Sequence, residues 1–135
     1  MAPVDLTVKV LVVDDILSMR HIVKRALLEI GFNDIHDAHN GEEGLEKLRA
    51  GGFGLLLLDW NMPVMSGIDM LRTIRADAAL RSLPVLMITA EAQAEQIMEA
   101  VRAGVSGYLV KPFSTQSLQE KLEKIFQKTP KGKEK

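Results

Sequence analysis

This sequence predicts a doubly wound α/β domain, a parallel sheet covered by helices on both faces. Three observations predict it. Short apolar runs alternate with amphipathic segments, the strongest runs have no polar side, and 47% of the 135 residues are hydrophobic, enough for one core.

The strand candidates are residues 8–13 (VKVLVV), 55–58 (LLLL), 85–88 (VLMI) and 108–110 (YLV), each short and flanked by Gly, Pro or Asp. Residues 35–38 form a weaker candidate, because His36 and Asp37 interrupt the apolar pattern in a way that suits an edge. After the first strand, Met19, Ile22, Val23, Ala26, Leu27 and Ile30 recur at helical spacing and predict a core-facing stripe. Ile97, Met98 and Val101 predict a second core-facing stripe. Leu45 with Leu48, Ile68 with Leu71 and Ile74, and Leu118 with Leu122, Ile125 and Phe126 mark three more helices. Asn40 and Ser114 are candidate N-caps, whose side-chain oxygens accept the unpaired amides of a first turn. Five strands and five helices in alternation imply parallel pairing with crossover helices.

Composition narrows the function. Seventeen basic and eighteen acidic residues leave a net charge of -1, so no global field draws the chain to nucleic acid or to an anionic membrane. With no cysteine, a disulfide framework, a thiolate metal site and thiol catalysis are excluded, and a reducing compartment suits the chain. No stretch approaches the ~20 apolar residues of a membrane span, and residues 1–7 lack a basic stretch followed by an apolar run. A cytoplasmic, monomeric protein without membrane insertion is expected. The end of the chain, KTPKGKEK, has no apolar periodicity. We therefore expect one domain over residues 1–128 and a flexible basic tail over residues 129–135, with a basic docking tail as the other reading.

In open parallel sheets, ligands bind beyond the carboxyl ends of the strands. Here the first strand ends in Asp14 and Asp15, the third in Asp59, the fourth in Thr89, and the fifth in Lys111 followed by Pro112. If the first and third strands are neighbours, three carboxylates converge, and they repel unless protonated or holding a cation. An all-oxygen set with few carboxylates suits Mg²⁺. A carboxylate can also attack phosphorus to form an acyl phosphate, a reaction that needs little beyond positioning and neutralisation of the equatorial oxygens. The cation would neutralise one oxygen, the Lys111 ammonium a second, and the Thr89 hydroxyl would donate to a third. Asp59 is the best acceptor because it ends the most buried, central strand. Each element alone has an ordinary alternative: an acidic pair after a strand more often caps a helix, and a terminal Thr or Lys is more often solvated. Their joint placement carries the hypothesis.

The segments LVVDD, LLDWNMPVMSG, MITAEA and GYLVKPF resemble the receiver domain of bacterial two-component response regulators, especially its stand-alone chemotaxis members, over residues 8–126. The resemblance implies a flavodoxin-like sheet of order 2-1-3-4-5. It implies Mg²⁺ held by Asp14, Asp15, Asp59 and the backbone carbonyl of Asn61, and a cis bond between Lys111 and Pro112. Asp59 would take a phosphoryl group from a histidine kinase, with Thr89 and Lys111 contacting it. The Thr89 hydroxyl would then move toward the phosphate and Tyr108 would turn inward, altering the face built by the fourth helix, fifth strand and fifth helix. Ala92, Ile97, Tyr108, Val110, Lys121 and Lys124 are placed on that output face. On spacing alone Tyr108 reads as a static, half-buried aromatic. Asn61 and Glu91, two residues beyond Asp59 and Thr89, are assigned to positioning or blocking the water that hydrolyses the acyl phosphate. Trp60, directly after the acceptor, is either a reporter of metal and phosphate or a packing residue. His21, His36 and His39 are assigned to surface structure. Gln93 and Ala94 depart from the lysine pair that enteric-type chemotaxis regulators often carry there.

These features imply a signalling switch and not a metabolic enzyme. Its partners would be a chemotaxis histidine kinase, a flagellar motor switch protein and a phosphatase. A phosphate sink, a relay intermediate or a single-domain regulator of another output keeps the same chemistry. An aspartyl-phosphate phosphatase or a flavin carrier would be a different class. Such phosphatases carry Asp-x-Asp after the first strand, whereas Asp14 and Asp15 are adjacent here. A flavin or dinucleotide would need amides from Gly, Ser or Thr in the first loop, which instead reads DDILSMR and opens with two carboxylates.

Overall fold

The computed structural model describes residues 4–128. Its elements alternate strictly: β1 (Lys9–Val13), α1 (Leu17–Ile30), β2 (Asp34–Ala38), α2 (Gly41–Ala50), β3 (Phe53–Leu58), α3 (Gly67–Ala76), β4 (Val85–Thr89), α4 (Ala94–Arg102), β5 (Gly107–Val110) and α5 (Thr115–Lys128). The strands form one sheet of order β2-β1-β3-β4-β5 with every pair parallel, as the pattern and the resemblance imply. The basic tail expected over residues 129–135 lies outside the described residues.

The two-residue period of a strand divides the core into two layers. Leu11, Val13, Leu56, Leu58, Val85 and Met87 face a cluster completed by α2, α3 and Ala100 of α4. Val10, Val12, Leu55, Leu57, Leu86 and Ile88 face the opposite cluster, completed by α1 and α5. The unbroken apolar runs of β1, β3 and β4 are thus a consequence of burial on both sides. Each such fully buried aliphatic side chain contributes about 1.5–3 kcal/mol. The strand β2, with its partly exposed Ile35, His36 and Asp37, occupies one edge.

Two expected helix stripes need correction. In α1, Val23, Ala26 and Leu27 are buried, but Ile22 is 52% exposed. In α4, Ala100 is the buried residue, Ile97 is partly covered, and Met98 and Val101 are 50% and 53% exposed. A helix lying on a sheet buries a limited arc, and these apolar side chains fall beside it. Both expected N-caps form: Asn40 Oδ1 accepts from Glu43 N at 2.8 Å, and Ser114 Oγ accepts from Ser117 N at 3.0 Å. Ser66, unremarked in the sequence, caps α3 through Asp69 N at 3.3 Å.

Candidate functional site

The order of the sheet places the ends of β1, β3, β4 and β5 side by side, and each carries one of the predicted groups. Asp14 follows β1 and is 3% exposed, with Oδ1 accepting from Ile16 N at 2.9 Å. Its carbonyl accepts from Arg20 Nη1 at 2.7 Å, and Arg20 is in turn paired with Asp37 at 3.0 Å. Asp59 follows β3 and is also buried; its amide donates to Val13 O at 3.1 Å and its Oδ1 accepts from Trp60 N at 2.8 Å. The exposed Asp15 completes a cluster in which one carboxylate oxygen from each of the three residues lies within 4.8 Å of the others.

Lys111 reaches into this cluster from the end of β5. Its Nζ stands 3.3 Å from Asp14 Oδ2 and 3.7 Å from Asp59 Oδ2, and its amide donates to Thr89 O at 2.9 Å. Thr89 is fully buried at the end of β4, where its Oγ1 accepts from Glu91 N at 3.3 Å. The Lys111–Pro112 bond is cis, as expected.

The electrostatics follow from this crowding. Burial pushes the Asp59 carboxyl above its ordinary range and the Asp14 charge adds to that, while Lys111, the Thr89 side chain and the Trp60 amide pull the other way. Two buried carboxylates and one exposed one share a single ammonium, so the pocket has anionic charge to spare. Oxygen donors alone, with no imidazole among them, fit a hard divalent cation such as Mg²⁺. Asp14, Asp15 and Asp59 are the side chains that could hold it.

Residues 10–123 match the family described as response regulator receiver domain. This chain belongs to that family. Over 120 residues the receiver domain is 55% identical to chemotaxis protein CheY-3 of Vibrio cholerae, covering 89% of this chain and 92% of that one. It is 53% identical to chemotaxis protein CheY of Pseudomonas aeruginosa, covering 89% and 97%. Among solved structures, Vibrio cholerae chemotaxis protein CheY4 superposes with a TM-score of 0.82 at 34% identity, covering 88% of this chain and 98% of that one. The Francisella response regulator 1452 receiver domain gives 0.81 at 29% identity, covering 91% and 99%.

At the rim of the receiver pocket, Asn61 Nδ2 donates to Glu91 Oε2 at 2.6 Å, so the two residues expected to act on water are joined to each other. Tyr108 is half-buried, and its hydroxyl donates to Glu91 O at 2.8 Å. Burial first, then the charges of Glu91 and Asp59, push that phenol up to about 12. The other positions expected on the output face come from several elements. Ala92 is exposed on the loop before α4, Ile97 and Val110 are partly covered, and Lys121 and Lys124 lie on α5, the second exposed. Trp60 is partly buried against the α2–α3 cluster. His21 is exposed, His36 pairs with Asp34 at 2.7 Å, and His39 pairs with Glu43, so all three belong to the surface.

Two residues that support the site went unassigned in the sequence. Arg20 clamps Asp14 from α1, and nothing in its spacing marks it. Gly67 is the more telling omission: a Cβ there would stand 2.0 Å from the Asp59 carbonyl oxygen, and its amide donates to Trp60 O at 2.8 Å. Its signal was present as the final glycine of LLDWNMPVMSG.

Proposed function

We propose that this receiver domain is a phosphorylation-switched signalling protein of chemotaxis, with Asp59 as its phosphoacceptor. The observation that carries this reading is a buried carboxylate with raised pKa, flanked by a second buried carboxylate and by an ammonium 3.7 Å away. One Asp59 oxygen attacks the phosphorus of a phosphohistidine on a chemotaxis histidine kinase. The new P–O bond forms as the P–N bond breaks, and the departing imidazole takes up a proton. Asp14, Asp15, Asp59 and the Asn61 carbonyl would hold Mg²⁺, which would neutralise part of the phosphoryl charge. Lys111 turns from Asp14 toward a phosphoryl oxygen, and the Thr89 hydroxyl donates to another. Asn61 and Glu91, joined over the mouth of the pocket, set how readily water reaches the acyl phosphate.

We infer that the output of this receiver domain is binding. The face bearing Ala92, Ile97, Tyr108, Val110, Lys121 and Lys124 docks on a flagellar motor switch protein, and a phosphatase resets it. The exposed apolar side chains of Met98 and Val101 on α4, and the exposed Lys124 on α5, support a docking role. The high identity to two proteins named for chemotaxis supports the pathway. We place the protein in the cytoplasm as a monomer that catalyses only its own phosphorylation and dephosphorylation; among the described residues no helix is long and apolar enough to cross a membrane. Incubation with acetyl phosphate and Mg²⁺ should add one phosphoryl mass to the wild type and none to Asp59→Asn. Stoichiometric, base-labile labelling that persists in the variant overturns the assignment.

A further inference from the structure

A second polar groove lies far from the acid pocket. Arg72, Arg75 and Ala76 of α3 line one wall, and Glu99, Arg102 and Ala103 at the end of α4 line the other, around a volume of about 550 Å³. That volume is in the range of small-ligand sites. Arg75 fixes the groove's place in the fold. Its Nε donates to Gly104 O at 2.8 Å, its Nη1 to Leu83 O at 2.7 Å and to Arg81 O at 3.1 Å, and its Nη2 to Ser106 Oγ at 3.3 Å. Leu83 and Gly104 precede β4 and β5, so the groove sits at the N-terminal ends of the strands, the pole opposite Asp14 and Asp59. All four of those acceptors are neutral. Burial pulls the partly buried Arg75 guanidinium below its ordinary value, with no carboxylate to oppose it.

The nearby carboxylates are already engaged. Arg72 pairs with Glu99 at 2.6 Å and with Asp69 at 3.4 Å, whereas among the described residues neither Arg75 nor Arg102 has a carboxylate partner. The C-terminal ends of α3 and α4 each supply roughly half a negative charge, which leaves about one positive charge uncompensated in the groove. A partly buried cation without a counter-charge is a cost that a bound anion removes. We propose that the groove between α3 and α4 binds the phosphoryl group of a small soluble anion, with Arg75 at its floor and Arg102 closing over it. With four of its five N–H groups in use, Arg75 keeps one to donate, and Arg102 keeps its whole fork. A phosphoryl group offers three oxygens to two guanidiniums, where a carboxylate offers only two. Ala76 and Ala103 are the apolar residues of the lining, which gives a bilayer nothing to receive and makes the ligand a soluble one. The site is separate from any chemistry at Asp59.

The test is calorimetric titration with inorganic pyrophosphate in the presence of a chelator, so that the acid pocket keeps its surplus negative charge and rejects the anion. The wild type should bind saturably, with one site per chain. Arg102→Ala removes an exposed side chain that holds no ion pair, so the fold should be kept while the affinity falls about tenfold. Arg102→Lys keeps the charge but loses the planar fork, and should weaken binding about threefold. Glu99→Gln takes the one negative side chain out of the lining and should tighten binding about threefold. Lys124→Ala, which removes an exposed cation from α5, should leave the affinity unchanged. Absence of saturable binding by the wild type overturns the site, and so does an affinity that Arg102→Ala does not alter. An equal loss in Arg102→Ala and Lys124→Ala overturns it as well, because the anion would then be answering the charge of the whole chain and not this groove.

Discussion

The acid pocket and the α4 face are built on opposite terms. Asp14, Asp59 and Thr89 cap three strands that are buried on both sides, and each is held by backbone bonds to a neighbouring strand or turn. The helix α4 buries Ala100 alone, starts without a side-chain cap and exposes Met98 and Val101. Under the proposed function, the groups that must meet a phosphoryl group precisely sit on the stiff part of the scaffold. An element that must change position belongs on the part with few buried contacts, where opening costs little. Substitutions should therefore be severe in the pocket and mild on α4.

The largest effect is expected at Gly67. A methyl group there meets the Asp59 carbonyl oxygen at 2.0 Å, and backbone cannot give way as a flexible side chain would. Gly67→Ala should destabilise the protein by about 3 kcal/mol in urea denaturation and weaken Mg²⁺ binding together with it. A variant with wild-type stability would show that the loop after Asp59 is softer than the pocket's construction implies.

Asp59→Asn separates the pocket's chemistry from its stability. Because the folded state raises the Asp59 pKa, the folded protein holds its proton to higher pH than the unfolded chain does. Stability without divalent metal is then lost as pH rises from the ordinary carboxyl value of 3.8 through the folded value, where the ionised group stays buried beside Asp14. Asparagine carries no such charge. The variant should be more stable than the wild type at neutral pH, with the difference vanishing below the ordinary carboxyl pKa. Urea midpoints across that range, in the presence of a chelator, check the sign; a difference independent of pH would remove buried charge as its cause.

How far the sequence could be read follows the same division. The strands were visible because burial on both faces forces unbroken apolar runs, and the site was visible because Asp14, Asp15, Asp59, Thr89 and Lys111 all terminate strands. The faces of the helices were less visible. Ile22, Met98 and Val101 keep helical spacing with true core residues but fall outside the arc that each helix buries. Gly67 depends on a close approach within the connection from β3 to α3, and the bonds of Glu91 to Asn61 and Tyr108 on approaches between different strands, neither of which spacing along the chain encodes.

Val64 provides a smaller test on the connection between β3 and α3. It follows Pro63 on the loop that carries Asp59, it is 73% exposed, and its φ is 72°, a conformation that burdens a β-branched residue. Met65 N donates to Pro63 O at 2.7 Å around it, closing a tight γ-turn. Val64→Gly should relieve this strain and stabilise the protein by about 1 kcal/mol, without changing Mg²⁺ affinity beyond about twofold. A destabilised variant would mean that the valine side chain supports the turn it strains.

The smallest effect is expected on α4. Met98→Ala and Val101→Ala remove side chains that are already half in water, so each should alter stability by no more than about 0.5 kcal/mol. Alanine also has the higher helix propensity, which offsets part of the lost contact. Both variants should still accept a phosphoryl group at Asp59, because neither side chain approaches the carboxylates. Their effect belongs to the docking step: affinity for a flagellar motor switch protein, measured by titration with the phosphorylated domain, should fall about tenfold if this stripe is covered in the complex. Unchanged affinity with both residues truncated would move the contact away from α4, while leaving the contrast between a stiff pocket and a loosely held helix intact.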